Sequence, residues 1–304
     1  MKFRASLSFM ACGFGLLLCG CGGGNAPAPA VNPLAGNWLI VGPMPSNDFN
    51  PSGGFRLAMT FDVIGNDVVA GGSGSNFCDG VQSGFGFRSV LPATGTVAAD
   101  GSFTVATSAS DPFETISIKG TAPRASGEQW SGSYAVSLGG HAPACDANLS
   151  GTFTATSFPL VNGVYVGTGS TLTGPNGVPA ATPIAFQVTL KQGAMVTNPG
   201  NGAASNFFSS VALTGSIKVQ GSPCFSSGVT ESGLSSGVVG NSSGVAGNFV
   251  DANFLMDDGS TLNLTGSLTD ISEGHIETSL VLVNGGNCGG FNNLIQLPGL
   301  DRQS

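Results

Sequence analysis

Two histidines and a few neighbouring carboxylates are the residues with which this chain could do acid–base or metal chemistry. His141 stands in Gly-Gly-His-Ala-Pro-Ala-Cys, and His275 stands in Ser-Glu-Gly-His-Ile-Glu-Thr beside Glu273 and Glu277. A nucleophilic triad needs a base in hydrogen-bond reach of a hydroxyl or thiol, with an acid to orient that base. Neither histidine sits in a motif that supplies those partners, and both read as solvated polar residues. Partial Gly-x-Ser-x-Gly matches arise freely in a chain this rich in Gly and Ser and carry no weight. Asp257-Asp258 and the pair Asp62 and Asp67 read as hairpin ends, since a calcium site wants several oxygens converging from one loop, as in the EF-hand spacing. Carboxylates poised for glycoside hydrolysis could come from separate strands, which spacing along a chain does not reveal. No CxxC pair and no Cys/His cluster marks a metal or redox centre. The reading therefore assigns no catalytic, cofactor-binding or metal-binding residue, and it expects no cofactor.

The amino terminus carries clearer chemistry. Met-Lys-Phe-Arg is followed by 14 uncharged residues from Ala5 to Leu18, too short a run to cross a bilayer comfortably and the pattern of an export signal. It ends in Leu18-Cys19-Gly20-Cys21, which resembles the lipobox of bacterial lipoproteins. The resemblance implies a signal peptide at residues 1–20 and an acylated N-terminus at Cys21. Two or three acyl chains hold a protein at a membrane where one does so only marginally. Gly22 after the acylated position implies, by the same resemblance, a cell-envelope protein released to the outer membrane. Residues 21–33 mix flexible Gly with stiffer Pro-Ala steps and read as a tether.

Composition narrows the partners. The chain has 304 residues, 49 of them Gly and only 9% charged, well below the roughly 25% of an ordinary soluble domain. Loss of Lys2 and Arg4 with the signal leaves seven basic residues against 17 acidic ones. Arg56, Arg88, Lys119, Arg124, Lys191, Lys218 and Arg302 stand apart along the chain, whereas nucleic acids and anionic lipid surfaces call for clustered cations. The expected partners are the membrane, through the lipid, and a small apolar ligand or an envelope protein.

Setting aside Cys12, Cys19 and Cys21 leaves Cys78, Cys145, Cys224 and Cys288, an even number in an exported chain. Disulfides are the expected use. The repeat described next favours Cys78 with Cys145 and Cys224 with Cys288 over the other connectivities. Each bridge would close a loop of similar size, contributing about 4 kcal/mol by the chain-entropy account.

These residues are positioned by strands. Apolar side chains alternate at Phe55, Leu57, Met59, Phe61 and Val63, and again at Trp130, Tyr134, Val136 and Leu138, the pattern of strands with one core face and one wet face. Asp100-Gly101, Asp258-Gly259 and similar dipeptides mark tight turns between them. A shift of 146 lays Ile116-Ser-Ile-Lys-Gly120 on Leu262-Asn-Leu-Thr-Gly266, Trp130, Tyr134 and Val136 on Ile276, Leu280 and Leu282, and Cys78 on Cys224. Shifts of 127 and 129 lay Trp38 on Tyr165 and Phe55 to Phe61 on Ile184 to Leu190, which implies an insertion around residues 192–210. The period is that of a whole domain.

The expected fold is all-β: two similar antiparallel domains at residues 34–159 and 160–300, with a tail at 301–304. Each is a small up-and-down barrel or a sandwich with one internal disulfide. Gly36-Asn37-Trp38 resembles the Gly-x-Trp of lipocalin-type barrels, whose Trp plugs one barrel end; the resemblance implies an apolar ligand cavity. Such families set an Arg or Lys from the closing strand on that Trp, and the run from Asn148 to Phe158 has none. A transmembrane barrel would need aromatic girdles that two Trp and two Tyr do not provide. The expected function is a non-catalytic binding or structural module, with a lipocalin-like carrier and an envelope hydrolase as the other readings.

Overall fold

The computed structural model describes residues 32–45, 53–75, 87–107, 114–138, 148–171, 183–196, 210–222, 225–239, 246–269, 274–285 and 293–304. All the regular structure in them is β. Strands β1 (Gly36–Gly42), β2 (Phe55–Ile64), β3 (Asp67–Ser75), β4 (Phe87–Val97), β5 (Ser102–Thr107), β6 (Glu114–Thr121), β7 (Trp130–Leu138) and β8 (Asn148–Ser157) pair in chain order, and β8 returns to β1. The result is a closed up-and-down antiparallel barrel, which leaves no sheet edge unpaired.

The second half repeats this path. Strands β9 (Gly163–Thr171), β10 (Ile184–Val196), β11 (Ser210–Gln220), β12 (Ser227–Val239), β13 (Ala246–Met256), β14 (Thr261–Thr269) and β15 (His275–Asn284) pair in order. The eighth place is shared by β16 (Asn293–Gln296) and β17 (Gly299–Arg302), both of which pair with β15 and with β9 to close the barrel. Pro298 falls at the break, where a residue without an N–H cannot serve the ladder. There the Thr278 hydroxyl donates to the Leu297 carbonyl and so occupies an acceptor that the ladder leaves open.

Alternation along each strand sends apolar residues inward. Trp38, Ile40, Phe55, Leu57, Met59, Phe61, Phe103, Trp130 and Phe153 belong to the first core, and Tyr165, Phe186, Val188, Leu190, Phe254, Leu264 and Ile276 belong to a separate second core. The register of the opening hairpins matches between halves. Trp38 faces Met59 and Gly36 faces Phe61, just as Tyr165 faces Val188 and Gly163 faces Leu190.

The shift of 146 needs one correction. Gly120 opposite Gly132 corresponds to Gly266 opposite Thr278, but a bulge between Leu264 and Gly266 adds one residue to β15. Beyond it, Val281 and Val283 take the core places of Tyr134 and Val136, where the plain shift had put Leu280 and Leu282. An inserted residue reverses the facing of everything after it, because the side-chain period of a strand is two.

The face of β2 expected to be wet is a second departure. Ala58 and Thr60 point away from the first core yet are buried, as is Ser73 beside Ala58 on β3. Strands β2 and β3 pack there against β12 and β10.

Candidate functional site

Cys21, Cys78, Cys145, Cys224, Cys288 and His141 lie outside the described residues. In sequence, Cys78 falls between β3 and β4 and Cys145 between β7 and β8; Cys224 falls between β11 and β12 and Cys288 between β15 and β16. These are the third and seventh connections of each barrel. In an up-and-down path, odd-numbered connections all join strands at the same barrel end.

The described core of the first barrel gathers aromatic rings among its aliphatic side chains. Trp130 takes Phe103 and Phe153 at 5.2 Å between centroids, Trp38 at 5.8 Å and Phe61 at 6.0 Å, each edge to face. Such pairs contribute about 1 kcal/mol each beyond their buried area. Phe55 and Tyr134 stack in parallel, and the Tyr134 hydroxyl donates to the Pro43 carbonyl. Gly151 makes room for that ring, since a Cβ there would lie 2.8 Å from Tyr134 Cε1. Trp38 itself is fully buried, and its indole N–H donates to the Leu34 carbonyl at 2.8 Å, which ties the entering chain to the barrel.

The second barrel places Tyr165 where the first has Trp38. The Arg302 guanidinium, on the closing strand β17, lies 5.8 Å from the centre of the Tyr165 ring and donates to the Asn162 carbonyl. A cation on the closing strand over the first-strand aromatic is thus found in the second half, although the sequence reading sought it in the first. Its signal was Arg302, the last cation in the chain, read only as an isolated charge. Burial raises the Tyr165 phenol above its ordinary value of 10.0, and the charge of Arg302 opposes part of that rise. Desolvation raises the Tyr134 phenol likewise.

One groove joins titratable groups. Pro159, Gly274, His275, Asp301, Arg302 and Ser304 line a depression of about 480 Å³. His275 faces Asp301 across β15 and β17, with Nδ1 at 2.6 Å from Oδ1. That contact fits an imidazole oriented by a carboxylate, two members of a triad. The other edge of the ring lies against the backbone of β17: a Cβ on Gly299 would fall 2.3 Å from Nε2 and 2.2 Å from Cε1. A general base must offer its second nitrogen to a reacting proton, and here that edge is pressed on the strand. The arrangement pins β17 to β15.

Asp257 and Asp258 are spent on a turn, whereas Asp62 bonds across to the second barrel. Asp258 accepts from the Ser260 N–H at 2.9 Å and hydroxyl at 2.6 Å, next to Gly259 at φ 81°. Asp257 accepts from the Ser226 N–H at 3.0 Å and from its hydroxyl, and these bonds hold its carboxyl below the usual 3.8. Asp62 accepts from the Met195 N–H at 3.1 Å, and Asp67 begins β3. Among the described residues, no three His, Cys, Asp or Glu side chains gather where they could hold a metal ion.

The outer wall of β6, β7, β8 and β1 carries two shallow grooves. Ser117, Lys119, Ser133 and Ser150 line one of about 380 Å³, and Ser131, Thr152 and Thr154 line one of about 480 Å³. Hydroxyls outside and rings inside reverse the polarity of a transmembrane barrel, whose outer face is apolar. No protein-family description matches this chain, and no curated protein matches it in sequence.

Proposed function

We propose that this protein is a non-catalytic binding or structural module of the bacterial cell envelope, held at the outer membrane by acyl chains on Cys21 and meeting its partners through the outer walls of its barrels. The aromatic packing around Trp130 carries the reading. Where a lipocalin-type carrier keeps a cavity of several hundred cubic ångströms, rings at 5–6 Å spacing occupy the described interior of the first barrel. Polar walls, a scarcity of cations and the strand-bound edge of His275 weigh against a membrane-spanning, nucleic-acid-binding or hydrolytic role. The pairings Cys78 with Cys145 and Cys224 with Cys288 belong to the same proposal. They draw support from the matching places of the four cysteines in the strand order, since each pair falls on connections at one end of its own barrel.

Native mass spectrometry of the delipidated protein, purified from its own cells, tests the reading. A mass equal to the processed polypeptide with two disulfides is the expected result. A retained apolar molecule would overturn it in favour of a carrier. Metabolic labelling with a fatty acid checks the anchor: label should be present in the native chain and lost in Cys21→Ala.

A further inference from the structure

The polar groups between the two barrels form one connected knot. Asn37 points away from the first core, and its Oδ1 accepts from Thr60 Oγ1 at 2.7 Å and from Gln192 Nε2 at 3.0 Å. Its Nδ2 donates to the Pro159 carbonyl at 3.0 Å, and the same carbonyl accepts from Asn248 Nδ2 at 2.9 Å. Gln192 Oε1 takes the Val161 N–H at 3.2 Å, while the Gln192 N–H donates to Asn162 Oδ1 at 2.7 Å. Asn37 and Asn248 are buried, at 2% and 1% exposure. Buried amides are retained where every polar group finds a partner, and such networks fix one geometry because each alternative leaves a group unpaired.

The flanking contact has the same character. Ala58, Thr60, Gly71 and Ser73 form a wall of small residues on β2 and β3, buried where β12 and β10 approach, with Ala58 packed on Phe158. Strand β10 continues to Val196, past Gly193, which matches Ile64 at the end of β2. In that extension Met195 donates its N–H to Asp62 of the first barrel. The residues before and within the inserted stretch therefore reach across together with β12 and Asn248.

We propose that the wall of β1, β2 and β3 is a docking face for the rim of the second barrel, so that the barrels form one rigid, cooperative body, and that side-chain size on this wall decides which barrel can be docked upon. The corresponding wall of the second barrel shows the device in reverse. Gln187, Lys191 and Lys218 stand where the first has Ala58, Asp62 and Ser73, Gln187 facing Lys218 as Ala58 faces Ser73. Long side chains there exclude a second rim. The first barrel in turn has Val63 in the place of Gln192 and only a two-residue turn in the place of the extension. A head-to-tail contact that could repeat between copies is thereby used once and closed.

The test uses the full chain with its cysteines untouched. Spin-labelled p-acetylphenylalanine replaces the exposed residues Thr104, on the first barrel, and Gln220, on the second. Pulsed dipolar spectroscopy should give one narrow distance peak, and calorimetry one unfolding transition. Ala58→Gln places the second barrel's side chain on the first barrel's wall, outside the core. It should broaden the peak and split the transition, while near-ultraviolet circular dichroism of Trp38 and Trp130 is retained. A broad distribution in the unmodified chain would overturn the proposal. So would an unchanged narrow peak in Ala58→Gln.

Discussion

The two barrels share a strand order and the register of their opening hairpins, yet they are filled and closed differently. The first packs four aromatic rings around Trp130 and closes on one uninterrupted strand, β8. The second relies mainly on aliphatic side chains such as Leu190, Val281 and Leu264, and its eighth strand is broken at Pro298. At one equivalent place the difference is plain. Gly132 of the first barrel has no room for a side chain, a Cβ there lying 2.1 Å from the Lys119 carbonyl, whereas Thr278 of the second uses its hydroxyl to satisfy the broken strand. Closure of eight strands thus constrains which positions point inward and leaves open what fills the inside.

The contrast can be broken by mutation, and the largest effect is expected in the first barrel. Trp130→Ala removes the ring that four others touch and should cost about 4 kcal/mol. In the second barrel Val281→Ala should cost closer to about 2 kcal/mol. Denaturant unfolding measures both, and equal losses would mean that the aromatic cluster is not what distinguishes the halves.

The broken strand offers a sharper test. Thr278→Val leaves the Leu297 carbonyl without its donor and should cost about 1–3 kcal/mol. Amide hydrogen exchange should quicken around β16 and β17, and unchanged protection would show that the break needs no such cap.

Arg302→Ala should cost only about 1 kcal/mol, because the cation is exposed. Its clearer effect is on Tyr165, whose phenol should then ionise at a still higher pH once the opposing charge is gone. Both tyrosines of the chain are raised by burial. A raised phenol stabilises the fold below its unfolded value of 10.0, and that contribution is lost as pH rises beyond it. Ultraviolet titration should therefore show little tyrosinate until above pH 10, together with alkaline unfolding; an ordinary titration of both phenols in the folded protein would contradict the burial.

The smallest effect is expected at the turn before β12. The Asp257 carboxyl is lowered by bonds from Ser226, so its contribution is present above the unfolded value of 3.8 and fades as pH falls through the lower folded one. Carboxyl titration by NMR should find Asp257 among the most acidic groups, with the depression reduced in Ser226→Ala, which removes the hydroxyl donor and keeps the backbone one.

Much of this fold could be read from residue order. Phe55 to Val63 announces a strand by period-two alternation, and Asp258-Gly259 announces a turn because Gly accepts the positive φ found there. The correspondence of Trp38 with Tyr165 also survived, since both lie in strands free of bulges. The bulge in β15 was not legible: one extra residue ahead of the four consecutive aliphatic residues Leu280 to Val283 leaves the local pattern intact and changes only which partner faces which. The polar face of Ala58 and Thr60 was likewise read as solvated, because small neutral residues suit water and a close-packed neighbour equally well. His275 opens β15, but its partner Asp301 is 26 residues away and no spacing rule connects them.

Sequence alone determined that this chain is built of short antiparallel strands in two similar halves, because alternation and turn propensity act between near neighbours. Tertiary structure decided that each half closes on itself, that Arg302 meets Tyr165, and that Asn37 meets Gln192 across 155 positions. Those outcomes depend on contacts between distant residues, which come together only once the barrels have closed and their walls are in contact.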